Sequence, residues 1–149
     1  PEDLWEKIHS DSTETHPIDA LQPIRLAGAE IEFISVKHTI PCYALKIRYQ
    51  DKVLVYSADT SYVESLVDFA KNADLFICEA TVCNGSQHTV GEGHMNARQA
   101  GSIAQEANVK KLVLTHLPHD GNFSFMQKEA CDAFDKPVYL ANEQSSFII

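Results

Sequence analysis

The chain has 149 residues, 44% of them hydrophobic, enough for one core and so for a single domain spanning 1–149. Its formal net charge of −9 argues against a broad, charge-driven grip on nucleic acid, which needs an excess of Lys and Arg, but leaves open a nucleotide or RNA substrate whose phosphates meet bound metal ions. Residues 1–30 are the least regular; Leu4, Trp5 and Ile8 could form one face of a short helix. Strand signals follow in Ile31–Val36, then in Tyr43–Tyr49, with Gln50-Asp51-Lys52 as a turn before Val53–Tyr56. That last run is apolar on both faces, as a strand inside a sheet should be. A helix is predicted next, because Ser61 and Glu64 have capping-box spacing and Val63, Leu66, Val67 and Ala70 share a helical face.

A second buried strand, Leu75–Cys78, precedes a stretch from Cys83 to Gly93 whose three glycines read as a loop. Asn96 and Gln99 mark another helix start, with Ala97, Ala100, Ile103, Ala104 and Ala107 as its packing face. Lys111–Leu114 is a third buried strand, Phe125–Phe134 a last helix and Val138–Leu140 a further strand. The alternation of helices and strands predicts an α/β fold, with no repeat or linker. None of the four cysteines forms a Cys-x-x-Cys pair, and no apolar run approaches the ~20 residues that cross a bilayer. A reduced, cytoplasmic setting without a membrane partner is therefore expected. The chain opens on Pro1 and not on Met, which suggests a piece of a longer protein.

Three buried strands each run into a polar residue at the C-terminal end, where open α/β sheets bind ligands: Asp59, Glu79 and His116. His38, after the first strand, and His94, after the glycine-rich loop, could approach the same edge. Imidazoles and carboxylates are zinc donors, and one carboxylate can bridge two ions. Two metals ~3.5–4 Å apart can activate a shared water. Glu79 is then a candidate proton-handling or orienting group, and His94, just before a helix start, could protonate a leaving group. Taken singly, each has a plainer reading: Asp59 as a helix cap, Glu79 as an acceptor for backbone amides, His94 as part of a loop. His9 and His16 read as solvated, His88 and His119 have no assigned role, and the cysteines read as small core residues.

The order of short segments carries more than any one of them. Thr39-Ile40-Pro41-Cys42-Tyr43-Ala44 after His38, then Tyr56-Ser57-Ala58-Asp59-Thr60, Cys78-Glu79-Ala80-Thr81, Gly93-His94-Met95 and Leu114-Thr115-His116 resemble the ribonuclease Z-like branch of the metallo-β-lactamase superfamily. The resemblance implies the C-terminal half of a four-layer αββα sandwich. It makes His38 a ligand of a first zinc ion, Asp59 the bridging ligand and His116 a ligand of a second, with His94 near the leaving group and Glu79 orienting it. It implies a metal-dependent hydrolase cleaving a phosphodiester or related ester with a metal-bound hydroxide, on a small-molecule or nucleotide-type substrate.

The family's His-x-His-x-Asp-His signature, which supplies most of both metal shells, occurs nowhere in the chain. The resemblance therefore implies a partner, the missing N-terminal half, and weak zinc binding and no activity without it. The sheet face that half would cover should drive self-association into a homo-oligomer. Ala58 stands where a glycine is usual and Cys78 where a histidine is usual, and only the 20 residues 39–58 separate His38 from Asp59. That interval leaves no place for the long arm with which bacterial members grasp transfer RNA. Because the shared metal site does not choose the substrate, a lactone- or thioester-cleaving hydrolase remains an alternative. So does a binding or regulatory module that kept the scaffold without catalysis.

Overall fold

A computed structural model describes residues 22–82 and 92–149. In chain order the strands are β1 Ile24–Leu26, β2 Ala29–Val36, β3 Cys42–Tyr49 and β4 Lys52–Tyr56, followed by β5 Leu75–Glu79, β6 Leu112–Thr115 and β7 Val138–Leu140. Helix α1, Glu64–Ala70, lies between β4 and β5, α2, Ala97–Glu106, between β5 and β6, and α3, Phe123–Cys131, between β6 and β7. The strands form one seven-stranded sheet in sequence order. Its first half is an antiparallel meander, from β1 to β4. Its second half, β4 to β7, is parallel, each step crossing over through a helix.

The pleat sends alternate side chains to opposite faces. On one face Ala44, Val55, Phe76, Cys78, Leu112 and Leu114 pack in a single buried cluster with Leu66 and Phe69 of α1, Ala100, Ile103 and Ala104 of α2, and Met126 of α3. Lys46 points into the same face with 7% of its surface exposed, its ammonium 4.2 Å from the centre of the Phe69 ring. The opposite face carries two apolar rows across the strands. One runs Ile31, Ile47, Leu54, Leu75; the other Phe33, Leu45, Tyr56, Ile77, Val113, Tyr139. No described helix covers it, and most of these side chains are only half-buried. A sheet with helices on one face and an apolar second face is the half-sandwich that the resemblance implies.

Most predicted elements stand within one or two residues of their expected ends. The Asn96–Gln99 capping box is complete: Asn96 Oδ1 accepts from the Gln99 amide at 2.8 Å, and Gln99 Oε1 from the Asn96 amide at 3.0 Å. The Ser61–Glu64 box does not form. Helix α1 starts after Val63 without a side-chain cap, because Ser61 is engaged elsewhere: its amide donates to the Lys37 carbonyl and its hydroxyl accepts from the Gly93 amide. Helix α3 begins two residues before its expected start, at Phe123, where Asn122 Oδ1 accepts from the Phe125 amide. It also ends earlier, at Cys131. The three-residue β1 is too short for a periodic signal and was not expected. The helix read around Leu4, Trp5 and Ile8, and the loop residues 83–91, lie outside the described residues. No described helix is long and apolar enough to cross a membrane.

Asp74 ties the N-terminal ends of the parallel strands together. Its carboxylate accepts from the Val53 amide at 2.9 Å and from Lys110 Nζ at 2.7 Å. Burial pushes this carboxyl up, but the Lys110 ammonium and the Val53 amide outweigh that push and hold it below the ordinary range. A depressed folded-state value stabilises the fold above the ordinary Asp range, and the contribution is lost as pH falls through the folded value. Asp74→Ala is therefore expected to destabilise the chain by about 1–3 kcal/mol at neutral pH. In urea titrations across pH, its difference from wild type should shrink on acidification.

Candidate active site

Because β4, β5 and β6 are parallel, their C-terminal ends share one edge, and the segments after them carry Asp59, Glu79 and His116 there. Glu79 is fully buried. Its Oε1 accepts from the Thr60 amide at 2.9 Å and its Oε2 from the Thr81 amide at 3.0 Å. Its own amide donates to Ser57 Oγ at 3.0 Å. The same carboxylate holds His94, whose Nδ1 lies 2.9 Å from Oε1. A carboxylate here only accepts, so Nδ1 of His94 carries the proton and Nε2 is turned to the site.

His94 stands between two other imidazoles. Its ring centre is 5.0 Å from that of His38 and 5.4 Å from that of His116. His116 Nε2 in turn lies 3.6 Å from Asp59 Oδ2. All five residues singled out in the sequence therefore meet at one end of the sheet. His38 arrives from the loop after β2, where its Nδ1 lies 2.9 Å from the Gly93 carbonyl. Among the described residues no three His, Cys, Asp or Glu side chains converge closely enough to hold a metal ion. The donors are of the right kind for zinc and gathered in one place, but they make a partial set.

The surroundings explain the unusual residues. Cys78 points away from the site into the helix-side core, with Sγ 3.7 Å from Met95 Sδ, and burial pushes its thiol far above the ordinary range. Cys78 thus serves the packing of the core and not the edge of the site. Burial also pushes the Tyr56 phenol up, with Asp59 adding to the effect. His119 is exposed, whereas His9, His16, His88 and Cys83 lie outside the described residues. Ser57, Thr60, Ser61, Thr81 and the Gly93 backbone also build the site. Four of them lie in the short segments of the resemblance and Ser61 in an expected helix cap, but the sequence assigns them no role here, because each bonds to a segment distant in the chain.

Residues 3–117 match the family model described as the β-lactamase superfamily domain. The probable metallo-hydrolase YhfI of Bacillus subtilis is 40% identical over 129 residues, covering 85% of this chain and 51% of the relative. In the crystal structure of YhfI, a metallo-β-lactamase fold protein, the match has a TM-score of 0.84 over 94% of this chain and 58% of that one, at 35% identity. Ribonuclease Z of Myxococcus xanthus is 40% identical over 91 residues, 59% of this chain and 30% of that protein. The short form of human tRNase Z shares the fold, with a TM-score of 0.62 at 20% identity over 80% of this chain and 41% of that one. The chain spans about half the length of the curated relatives it matches.

Ala58 and His116 both adopt left-handed backbone conformations, with φ of 52° and 51°. For a residue with a Cβ this costs about 1–2 kcal/mol. The alanine therefore does not relax into a geometry that suits its side chain; Ser57 Oγ donates to the Ala58 carbonyl at 2.7 Å and the strained turn persists. Ala58→Gly removes the strain but adds unfolded-state entropy, leaving a net stabilisation of about 0.5–1 kcal/mol. Chemical denaturation should show a higher midpoint at unchanged slope.

Proposed function

The chain belongs to the metallo-β-lactamase superfamily, and from that premise we propose that it forms the second half of a zinc-dependent hydrolase for phosphodiesters or related esters. The observation that carries the reading is His94, oriented by a buried carboxylate and set between two imidazoles of ligand type. In this reading His38, Asp59 and His116 would be this chain's contribution to holding zinc, His38 and His116 through imidazole nitrogen and Asp59 through its carboxylate. Bound zinc supplies Lewis acidity and a nucleophilic water at neutral pH. The chain's own residues supply the rest. Glu79 holds the Nδ1 proton of His94 and favours the imidazolium form. In that form Nε2 also carries a proton, which it would hand to the departing oxygen, leaving His94 neutral. The likeness to ribonuclease Z supports a phosphorus-centred substrate. The net charge of −9 and the two-residue turn at Gln50–Asp51, which leaves no arm between β3 and β4, argue against transfer RNA as that substrate.

The remaining ligands would come from an upstream half carrying His-x-His-x-Asp-His, seated on the apolar rows of the second sheet face. Without it, this chain should bind zinc weakly, show no activity and self-associate through that face. Zinc titration, a phosphodiesterase assay and sedimentation of the purified chain check all three. Tight stoichiometric zinc in the monomer would refute the partial-set reading.

In the protein that includes the upstream half, a generic aryl phosphodiester should be hydrolysed in preference to a lactone or thioester panel. His94→Ala should lower kcat about 10²–10⁴-fold with little change in KM. A preference for lactones or thioesters would move the substrate class, and inactivity of the zinc-loaded protein on every ester would leave a binding module.

A further inference from the structure

His38 is held from behind by a backbone carbonyl. The Gly93 oxygen lies 2.9 Å from its Nδ1, and a carbonyl can only accept, so Nδ1 carries the proton and Nε2 the free lone pair. Neutral imidazole in water prefers the opposite arrangement, with the proton on Nε2. The fold must therefore supply a fixed acceptor at Nδ1 to invert that preference.

The acceptor is fixed by Ser61. The Gly93 amide donates to Ser61 Oγ at 2.9 Å, and the Ser61 amide donates to the Lys37 carbonyl, next to His38, at 2.8 Å. Together with the His38 contact, three hydrogen bonds close a ring through Lys37–His38, Gly93 and Ser61. Gly93 has room to take part only as a glycine. Its φ is +100°, and a Cβ there would lie 2.5 Å from His38 Nδ1 and 3.3 Å from the Thr39 amide nitrogen. The next residue is His94, anchored separately to Glu79. One peptide segment thus sets the face that His38 presents and starts the residue beside it.

We propose that Ser61 and Gly93 are positioning residues that select the Nδ1–H tautomer of His38, so that Nε2 is the nitrogen offered to zinc. This rests on the reading of His38 as a zinc ligand. It gives Ser61 a role in the site in place of the helix cap its sequence position suggests. Partners of this kind around a ligand histidine typically alter metal affinity about 10–100-fold.

The test reads the tautomer directly, by two-bond proton–nitrogen correlation of imidazole-labelled, metal-free protein at a pH well above the ordinary imidazole range. Zinc affinity is measured in parallel by chelator competition. In the wild type, His38 should show a protonated Nδ1 and an unprotonated Nε2. Ser61→Ala should shift it toward the Nε2–H form and weaken zinc binding about 10-fold or more, while Ser61→Thr, which keeps the hydroxyl, retains both properties. Gly93→Ala should shift the tautomer in the same direction. An Nε2–H tautomer in the wild type, or a Ser61→Ala protein unchanged in tautomer and affinity, would overturn the proposal without touching the zinc reading. His38→Ala with undiminished zinc affinity would instead overturn the zinc reading, even where the tautomer is as expected.

Discussion

A carboxylate taken wholly out of water is costly unless its oxygens are satisfied, and Glu79 sits where three donors from three segments converge on it. The Thr60 amide belongs to the loop after β4, the Thr81 amide to the loop after β5, and His94 to the segment leading into α2. A fully buried acceptor of this kind makes the geometry of all three segments conditional on one another. The position of Asp59, one residue before Thr60, follows from it, and so does the placing of His94 between His38 and His116. The same interaction therefore stabilises the loop end of the sheet and orients the histidine to which chemistry is assigned.

Around this hub the backbone carries strain where the fold can bear it. Ala58 and His116 occupy left-handed conformations just past the ends of β4 and β6, the two strands that flank β5, one next to Asp59 and the other itself a proposed ligand. Each is held by bonds from flanking segments: Ser57 Oγ to the Ala58 carbonyl, Thr81 Oγ1 to the His116 carbonyl. Strain held in place by such bonds turns side chains toward one another that an ordinary strand exit would splay apart.

The two faces of the sheet are unequal, and the inequality bears on function. The helix side is a closed core in which α2 and α3 lie on β5, β6 and β7. The other side presents aligned apolar rows that no described helix covers. The half-covered sheet and the gathered but incomplete donors point the same way, since both would accommodate the upstream half proposed above.

What the sequence by itself determined is what depends on near neighbours. Short runs of apolar strand formers marked most of the strands, and period-3.6 patterning marked helices α1 and α2. The Asn96–Gln99 box set the start of α2 because both partners lie within one turn, and successive parallel strands necessarily put Asp59, Glu79 and His116 at one edge. Tertiary structure decided the rest. It turned Cys78 into the core and Lys46 under Phe69, left Ala58 strained, and added β1 to the sheet. It also took Ser61 from a local helix cap to a bond with Gly93, 32 residues away, and brought Gly93 to His38 across 55 residues. A serine hydroxyl has both a local and a distant partner available to it, and only the packing of the loops decides which one comes within reach.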